Sequence, residues 1–443
     1  MLRFGTDGVR GVANLDLTPE LVLALGRATA RVLPSSRFVI GRDTRRSGPL
    51  LEAALVAGIT AEGVDVELLG VAPTPAVAWV AARDAIAGAV ISASHNPFED
   101  NGVKLFGAGG RKLDDSTETA LEAELHSLLR HEAMMEPRTG SQVGTVVTGA
   151  ADLSSWAASV ADSIDGRRLT GLHVVIDCAN GSASTSGPEL LRSLGADVSV
   201  LHAEPDGANI NAGCGSTHPE ALQRAVVDLR AHVGIALDGD ADRALAIDAN
   251  GRLIDGDQII AITAIDRHLA GTLAQDTVVV TVMTNLGFHI GMADHGIKVL
   301  QVPVGDRYVL EALDDAGLSL GGEQSGHVIF TDRATTGDGL MTAVQILDIM
   351  VRTGRPLADL ADASMARLPQ VLRNVRVPQG AAEVREAIAS ELAEVERGLG
   401  DSGRVLIRAS GTEPLVRVMV EAPTSERAEA AAERLVAAIS ALH

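Results

Sequence analysis

Two cysteines in 443 residues, Cys178 and Cys214, are too few for a disulfide framework or a cysteine-based metal site. Aromatic residues make up only 2% of the chain, so its cores must be aliphatic. No apolar run reaches the roughly eighteen residues of a membrane span, and none is expected. The opening Met1-Leu2-Arg3-Phe4-Gly5-Thr6-Asp7-Gly8 has no apolar segment of signal-peptide type. Secretion is therefore not expected, and the cytoplasm is the default compartment. Basic residues are scarce too: 37 Lys and Arg face 58 Asp and Glu, a net charge of −21. Such a surface repels phosphates, which excludes a nonspecific nucleic-acid binder. A phosphorylated substrate would have to be held by local arginines against that field.

With 46% hydrophobic and 21% charged residues, the chain is not largely disordered. At about 100–200 residues per domain, three or four domains are expected. One pattern occurs three times. Its first copy reads as a strand (37–40), a helix (49–62), a strand (64–69) and a strand (87–92) that runs into Ala93-Ser94-His95-Asn96-Pro97. Strands at 173–177, 197–201 and 233–237 form the second copy, with a helix at 188–194, and lead into Asp238-Gly239-Asp240-Ala241-Asp242-Arg243. The third has strands at 277–282, 297–302 and 318–320 and a helix at 287–295, and runs into Gly321-Gly322-Glu323-Gln324-Ser325-Gly326-His327. Short apolar strands alternating with helices predict parallel or mixed sheets covered by helices. Ligands bind beyond the strand ends of such sheets, so three related domains could turn three different loops toward one cleft. Plain βαβ domains with solvated loops would show the same alternation.

After about residue 366 the order becomes strand, helix (381–397), strand, strand, helix (425–441), which predicts a small α+β domain. The expected division is 1–150, 151–255, 256–366 and 367–443, with a loose joining stretch at 137–149. Asn250-Gly251 between two apolar runs is a hairpin signal.

Asp238, Asp240 and Asp242 alternate, and carboxylates this close repel one another unless a cation sits among them. Hard oxygen donors suit Mg²⁺. A calcium EF-hand would need Gly and Glu where Arg243 and Ala249 stand. A solvated acidic turn is the bland alternative. Ser94 sits at a strand-to-loop transition, where an activated nucleophile could stand, although a plain turn is as compatible. The chain has no G-x-S-x-G elbow, Walker A or G-x-G-x-x-G element. Lys104 could bring a cation back toward Ser94. Arg408-Ala409-Ser410-Gly411-Thr412-Glu413-Pro414, with Arg417, is either a phosphate clamp or a hairpin loop with surface arginines. Glu323, Ser325 and His327 would point the same way in an extended segment. That suits sugar hydroxyls with a histidine near the reacting oxygen, although a lone histidine is usually structural. The loops 4–11, which carries Arg10, and 41–48 could be plain turns.

Taken together and in this order, the segments Gly5–Gly11, Ala93–Pro97, Asp238–Arg243, Gly322–His327 and Arg408–Pro414 resemble the α-D-phosphohexomutase superfamily over essentially the whole chain. Gln324 and Cys214-Gly215-Ser216-Thr217-His218-Pro219 are similar to the bacterial branch that acts on glucosamine phosphates. The resemblance implies three related mixed-sheet α/β domains and a smaller C-terminal α+β domain, heart-shaped around a central cleft. It implies a phosphoserine at Ser94 and one Mg²⁺ per chain, held by Ser94, Asp238, Asp240 and Asp242. Glu323 and Ser325 would grip sugar hydroxyls. Arg408, Ser410, Gly411, Thr412 and Arg417 would hold the non-reacting phosphate. Arg10, Lys104, Arg243 and His327 would surround the transferring group, with His327 and Arg10 the better proton carriers. The implied reaction interconverts glucosamine 6-phosphate and 1-phosphate through glucosamine 1,6-bisphosphate, as intermediate and activator, and supplies UDP-N-acetylglucosamine synthesis. A phosphoglucomutase or phosphomannomutase is the alternative. The partner is a small sugar phosphate, not nucleic acid or membrane, and the resemblance leaves room for a homodimer.

Overall fold

The computed structural model describes residues 8–130, 136–377, 381–409 and 415–442. These fall into two compact units. One runs to Val282 and takes up Ile297–Ala361; the other joins Met283–Gly296 to the chain from Asp362 onward.

The first unit contains three sheets. Strands β1 (Val9–Val12), β2 (Arg37–Arg42), β3 (Asp65–Val71), β4 (Ala87–Ile91), β5 (Asp100–Phe106) and β6 (Val146–Thr148) pair in the order β1-β5-β4-β2-β3-β6. Strands β7 (His173–Asp177), β8 (Asp197–Leu201), β9 (Val233–Leu237), β10 (Ala244–Asp248) and β11 (Leu253–Ile254) pair as β11-β10-β9-β7-β8. The third sheet orders β12 (Thr277–Thr281), β13 (Lys298–Val302), β14 (Leu320–Gly322) and β15 (Val328–Phe330) as β13-β12-β14-β15.

One plan underlies all three. The first strand of each copy lies in parallel between the second and the third, and a fourth strand returns antiparallel to the third. Each first strand is covered on both faces: Phe38, Val39 and Ile40, then Val174, Val175 and Ile176, then Val278, Val279 and Val280 are fully buried. Burial on both faces is why these strands read as unbroken apolar runs. The three motif loops join the third strand to the fourth in every copy, at 92–99, 238–243 and 323–327.

The structure corrects several expectations. The stretch 137–149 is not only a joiner, because β6 within it adds a parallel strand beside β3. The third copy's last parallel strand begins at Leu320, two residues late. The helix expected at 381–397 divides into Ala381–Ala387 and Ala389–Leu399. At the break Ile388 leaves helical geometry (φ −106°, ψ 21°) with its side chain buried. Asn250-Gly251 does form the β10–β11 turn, with Gly251 at φ +82°.

In the second unit β16 (Gln370–Arg376), β17 (Arg404–Ala409) and β18 (Leu415–Glu421) form an antiparallel sheet in the order β16-β18-β17. Helix Ser425–Ser440, capped by Thr424, packs into its core through Ala428, Ala432, Leu435 and Ile439. Helix Leu286–Asp294 belongs to this unit. Its Gly287 and Gly291 leave no room for a Cβ against the carbonyls of Ala366 and Ser364. The buried Glu421 fastens its start, accepting from the Leu286 backbone N–H at 2.9 Å and pairing with Arg404 at 2.7 Å.

Glu67 of β3 gives the first unit a pH signature. Its hydrogen bond with Asp152, together with burial, raises its carboxyl from 4.5 to about 7. The folded state therefore holds a proton there that the unfolded chain releases near 4.5. That contribution is complete below pH 4.5 and is lost as pH rises through about 7. A Glu67→Gln protein keeps the donor to Asp152. It should lose about 1 kcal/mol less between pH 5 and pH 8 than the parent, measured from denaturation midpoints. Equal losses in the two proteins would refute this assignment.

Candidate active site

Ser94 follows the end of β4 in a left-handed backbone conformation, φ +51°, and is 1% exposed. Its hydroxyl donates to Asp238 Oδ2 at 2.6 Å and lies 3.4 Å from His95 Nδ1. The first and second motif loops therefore meet. Close approach is permitted by Gly239, where a Cβ would stand 2.6 Å from the Ser94 carbonyl oxygen.

The three aspartates offer carboxylate oxygens that all lie within 4.8 Å of one another. Each is buried: Asp238 is 1%, Asp240 0% and Asp242 6% exposed. Lys104, on β5, sets its Nζ 2.6 Å from Asp240 Oδ2 and 3.2 Å from Asp242 Oδ2. Thr74 donates to the same Asp240 oxygen at 2.6 Å. The other oxygens, Asp240 Oδ1 and Asp242 Oδ1, are buried without a hydrogen-bond partner among the described residues. Burial pushes the Asp238 carboxyl well up, and the charges of Asp242 and Asp240 push it further. Burial also acts upward on Asp240, but the Lys104 ammonium overrides it and holds that group below the usual carboxylate range. The Lys104 ammonium and the Arg243 guanidinium, whose Nε lies 3.8 Å from Asp242 Oδ1, still leave three converging carboxylates with negative charge uncompensated. Two orphaned oxygens beside it fit a hard divalent cation, so the residues present suit Mg²⁺.

Positive groups border this cluster. The Arg243 backbone N–H donates to Asp238 Oδ1 at 3.2 Å, and its guanidinium lies 3.2 Å from His95 Nδ1. Burial lowers the His95 ring to about 4, and the charges of Arg243 and Arg10 act in the same direction. His95 is therefore neutral at pH 7 and can accept from Arg243. Arg10 lies on β1 opposite Gly102 of β5.

The third loop contributes His327, 2% exposed, whose Nε2 stands 4.0 Å from Asp242 Oδ2 and 3.4 Å from Asp306 Oδ2. Neither ring nitrogen makes a hydrogen bond among the described residues, and glycine fits at 337 against the ring face, where a Cβ would stand 2.5 Å from Nε2. Glu323 Oε1 accepts from the Gly305 backbone N–H at 3.1 Å. The Ser325 hydroxyl is buried without a hydrogen-bond partner among the described residues. Gln324 is tied by its carbonyl to the Gly256 N–H at 3.0 Å.

In the second unit Arg408 and Arg417 face each other across β17 and β18. Burial lowers the Arg408 pKa, and the Arg417 charge lowers it further. Arg417 Nε is buried without a hydrogen-bond partner among the described residues. Two adjacent guanidinium groups with an unused donor suit an anion. Ser410, Gly411 and Thr412 lie outside the described residues, as do Gly5, Thr6 and Asp7.

Several contributors escaped the sequence reading: Asp43, Arg45, Thr74, Asn211 and Asp306. The basic loop 41–48 was the one visible hint of the first two, and its Arg45 is fully buried. Asp306 pairs with Lys112 at 2.6 Å as well as lying beside His327.

Comparison with known proteins places the whole chain in one family. Residues 1–131, 155–251 and 255–368 match the phosphoglucomutase/phosphomannomutase alpha/beta/alpha domains I, II and III, and residues 372–438 match the C-terminal domain of that family. A phosphoglucosamine mutase of Pelotomaculum thermopropionicum is 54% identical over 442 residues, covering 98% of each chain. One from Frankia casuarinae is 54% identical over 452 residues, covering 98% of this chain and 97% of its own. The crystal structure of a phosphoglucomutase/phosphomannomutase family protein from Burkholderia thailandensis superposes with a TM-score of 0.81 at 26% identity, covering 98% of this chain and 97% of that one.

Proposed function

The chain belongs to the phosphoglucomutase/phosphomannomutase family, among the phosphoglucosamine mutases, and from that premise we propose that Ser94 carries the phosphoryl group by which it interconverts glucosamine 6-phosphate and glucosamine 1-phosphate. The observation that carries this reading is the Ser94 hydroxyl, 2.6 Å from Asp238 within the aspartate cluster. An isomerase working through phosphoserine needs one hydroxyl beside a divalent-ion site, and a nonspecific acidic turn would have no use for it.

In the forward direction the bond from Ser94 Oγ to phosphorus breaks as one forms to O1 of glucosamine 6-phosphate, and the O1 proton leaves. Glucosamine 1,6-bisphosphate turns over. Its 6-phosphoryl group then passes to Ser94 Oγ, O6 regains a proton, and glucosamine 1-phosphate is released. His327 and Arg10 are the groups assigned to carry the proton. His327 suits this because it stands among the acids with both nitrogens free of hydrogen bonds among the described residues. Asp238, Asp240 and Asp242, with a phosphoserine oxygen, would hold Mg²⁺, which when bound neutralises charge on the transferring phosphoryl group. Lys104 and Arg243 fix positive charge beside the same oxygens. Glu323 and Ser325 are assigned to the sugar hydroxyls, and Arg408, Ser410, Gly411, Thr412 and Arg417 to the phosphate that is not reacting. This reading goes with a cytoplasmic enzyme. No described helix is long and apolar enough to cross a membrane.

Assays of glucosamine, glucose and mannose 6-phosphates under identical conditions test the sugar assignment. Glucosamine 6-phosphate should lead in kcat/KM by ~10²-fold, the discrimination a polar pocket readily supplies. A lead for glucose or mannose would move the chain to the phosphoglucomutase or phosphomannomutase reading.

A further inference from the structure

Ser94 occupies a backbone region that non-glycine residues rarely adopt, so something must hold it there. Two side chains from different sheets do so, and both act on the same carbonyls. Arg45, fully buried, donates through Nη2 to the Ser94 carbonyl at 2.9 Å and to the Asn96 carbonyl at 2.8 Å. Its Nη1 reaches the Asp100 carbonyl at 2.9 Å and the Pro97 carbonyl. Asn211, from the second sheet's loops, donates through Nδ2 to the same Ser94 and Asn96 carbonyls at 2.9 and 3.1 Å.

Each grip is itself held. Asp43 pairs with Arg45 Nε at 2.8 Å and accepts the Ser92 hydroxyl at 2.6 Å, and the Ser94 N–H donates to that hydroxyl at 2.9 Å. Asn211 hangs by its N–H from the Ala179 carbonyl at 2.9 Å. The Ala179 N–H donates to Asp177 Oδ1 at 2.9 Å, and Asp177 Oδ2 takes the Gly215 N–H at 3.0 Å and His202 Nδ1 at 2.9 Å. The loop 41–48 and the Cys214-Gly215 turn therefore end on one peptide group.

We propose that Arg45 and Asn211 are positioning residues that clamp the Ser94 and Asn96 carbonyls from two sides and so aim the Ser94 hydroxyl at Asp238. The proposal rests on Ser94 as the phosphoryl carrier. In-line phosphoryl transfer tolerates little misplacement, and a shift of about 1 Å can cost roughly 10²-fold in rate. Releasing the carbonyls lets the Ser94 backbone leave its left-handed conformation, which redirects Cβ and Oγ while leaving the sugar-gripping groups untouched.

The test uses Asn211→Ala, Arg45→Lys and Arg45→Ala in the full chain. Steady-state kcat and KM are measured with glucosamine 6-phosphate. Single-turnover phosphorylation of Ser94 by glucose 1,6-bisphosphate is followed by intact mass. Asn211→Ala should keep its melting temperature within a few degrees and its KM within about threefold, while kcat and the single-turnover rate fall 10- to 100-fold. Arg45→Lys should be as slow as Arg45→Ala, because an ammonium cannot span four carbonyls. Guanidinium added to Arg45→Ala should restore part of the rate where ammonium does not. A folded Asn211→Ala protein with unchanged kcat and single-turnover rate, or one whose loss lies in KM alone, overturns the clamp. Should Arg45 variants not fold, the Asn211 result decides alone. The bisphosphate arm does not depend on the sugar assignment: a parent protein that phosphorylates Ser94 but ignores glucosamine 6-phosphate overturns that assignment and leaves the clamp to be judged on the single-turnover rates.

Discussion

Ser94→Ala should reduce turnover by ~10⁴-fold or more, the scale on which loss of a covalent nucleophile is felt. Among the described residues, no other hydroxyl beside the aspartates is free to take its place. The Thr74 hydroxyl is already committed to Asp240 at 2.6 Å, and His95 Nδ1 faces Arg243 at 3.2 Å. The effect should be confined to chemistry. Alanine removes one hydroxyl and its bond to Asp238, which costs about 1 kcal/mol of stability, far less than unfolding requires. Binding of glucosamine 6-phosphate should survive, because the groups assigned to the sugar and the distal phosphate lie elsewhere. Intact mass after incubation with glucose 1,6-bisphosphate should show a phosphate increment on the parent and none on the variant. A Ser94→Ala protein turning over at the parental rate would remove Ser94 from the mechanism, and the aspartate cluster would need another reason to exist.

How much of this was legible beforehand depends on which atoms do the holding. Strands buried on both faces leave a continuous apolar run, so Phe38–Ile40, Val174–Ile176 and Val278–Val280 announced the three sheets. Among the fourth strands, that of the second copy showed as the apolar run before Asn250-Gly251, but that of the third did not announce itself, because Val328–Phe330 is only three residues long and an antiparallel return is a matter of pairing. For β6 the obstacle is the edge position: Val146, Val147 and Thr148 are exposed and lack an alternating pattern.

The site divides along a similar line. Asp238, Asp240 and Asp242 alternate within one short loop, so they were visible as a cation site. Arg45 and Asn211 were not, because their partners are main-chain carbonyls, which every residue has. Asp306 was hidden for a different reason: it reaches His327 only through the packing of the helix Asp306–Ala316 against the third sheet. Gln324 and the Cys214–Pro219 turn were visible as letters but not as mechanism, and the structure gives the turn a task through Asp177.

Removing divalent cations should lower kcat by on the order of 10³-fold, and Mg²⁺ should restore it. The argument is one of charge balance. Three carboxylates whose oxygens lie within 4.8 Å of one another are answered by the Lys104 ammonium at 2.6 and 3.2 Å and the Arg243 guanidinium at 3.8 Å, and burial, with the neighbouring carboxylates after it, forces the Asp238 carboxyl upward. Asp240 Oδ1 and Asp242 Oδ1 stay buried with no hydrogen-bond donor among the described residues. A phosphorylated Ser94 would bring more negative charge to the same spot, so the arrangement is more strained in the working enzyme than in the bare chain. A cation that binds only the folded protein must stabilise it by mass action. Mg²⁺ should therefore raise the melting temperature of the parent in a concentration-dependent way, and Asp242→Asn should abolish that shift and also lose most turnover. The thermal readout does not depend on catalysis, so it separates loss of the ion from loss of the reaction. Full activity after exhaustive chelation, together with a melting temperature indifferent to Mg²⁺, would mean that Lys104 and Arg243 suffice to balance the cluster and that the aspartates serve the fold.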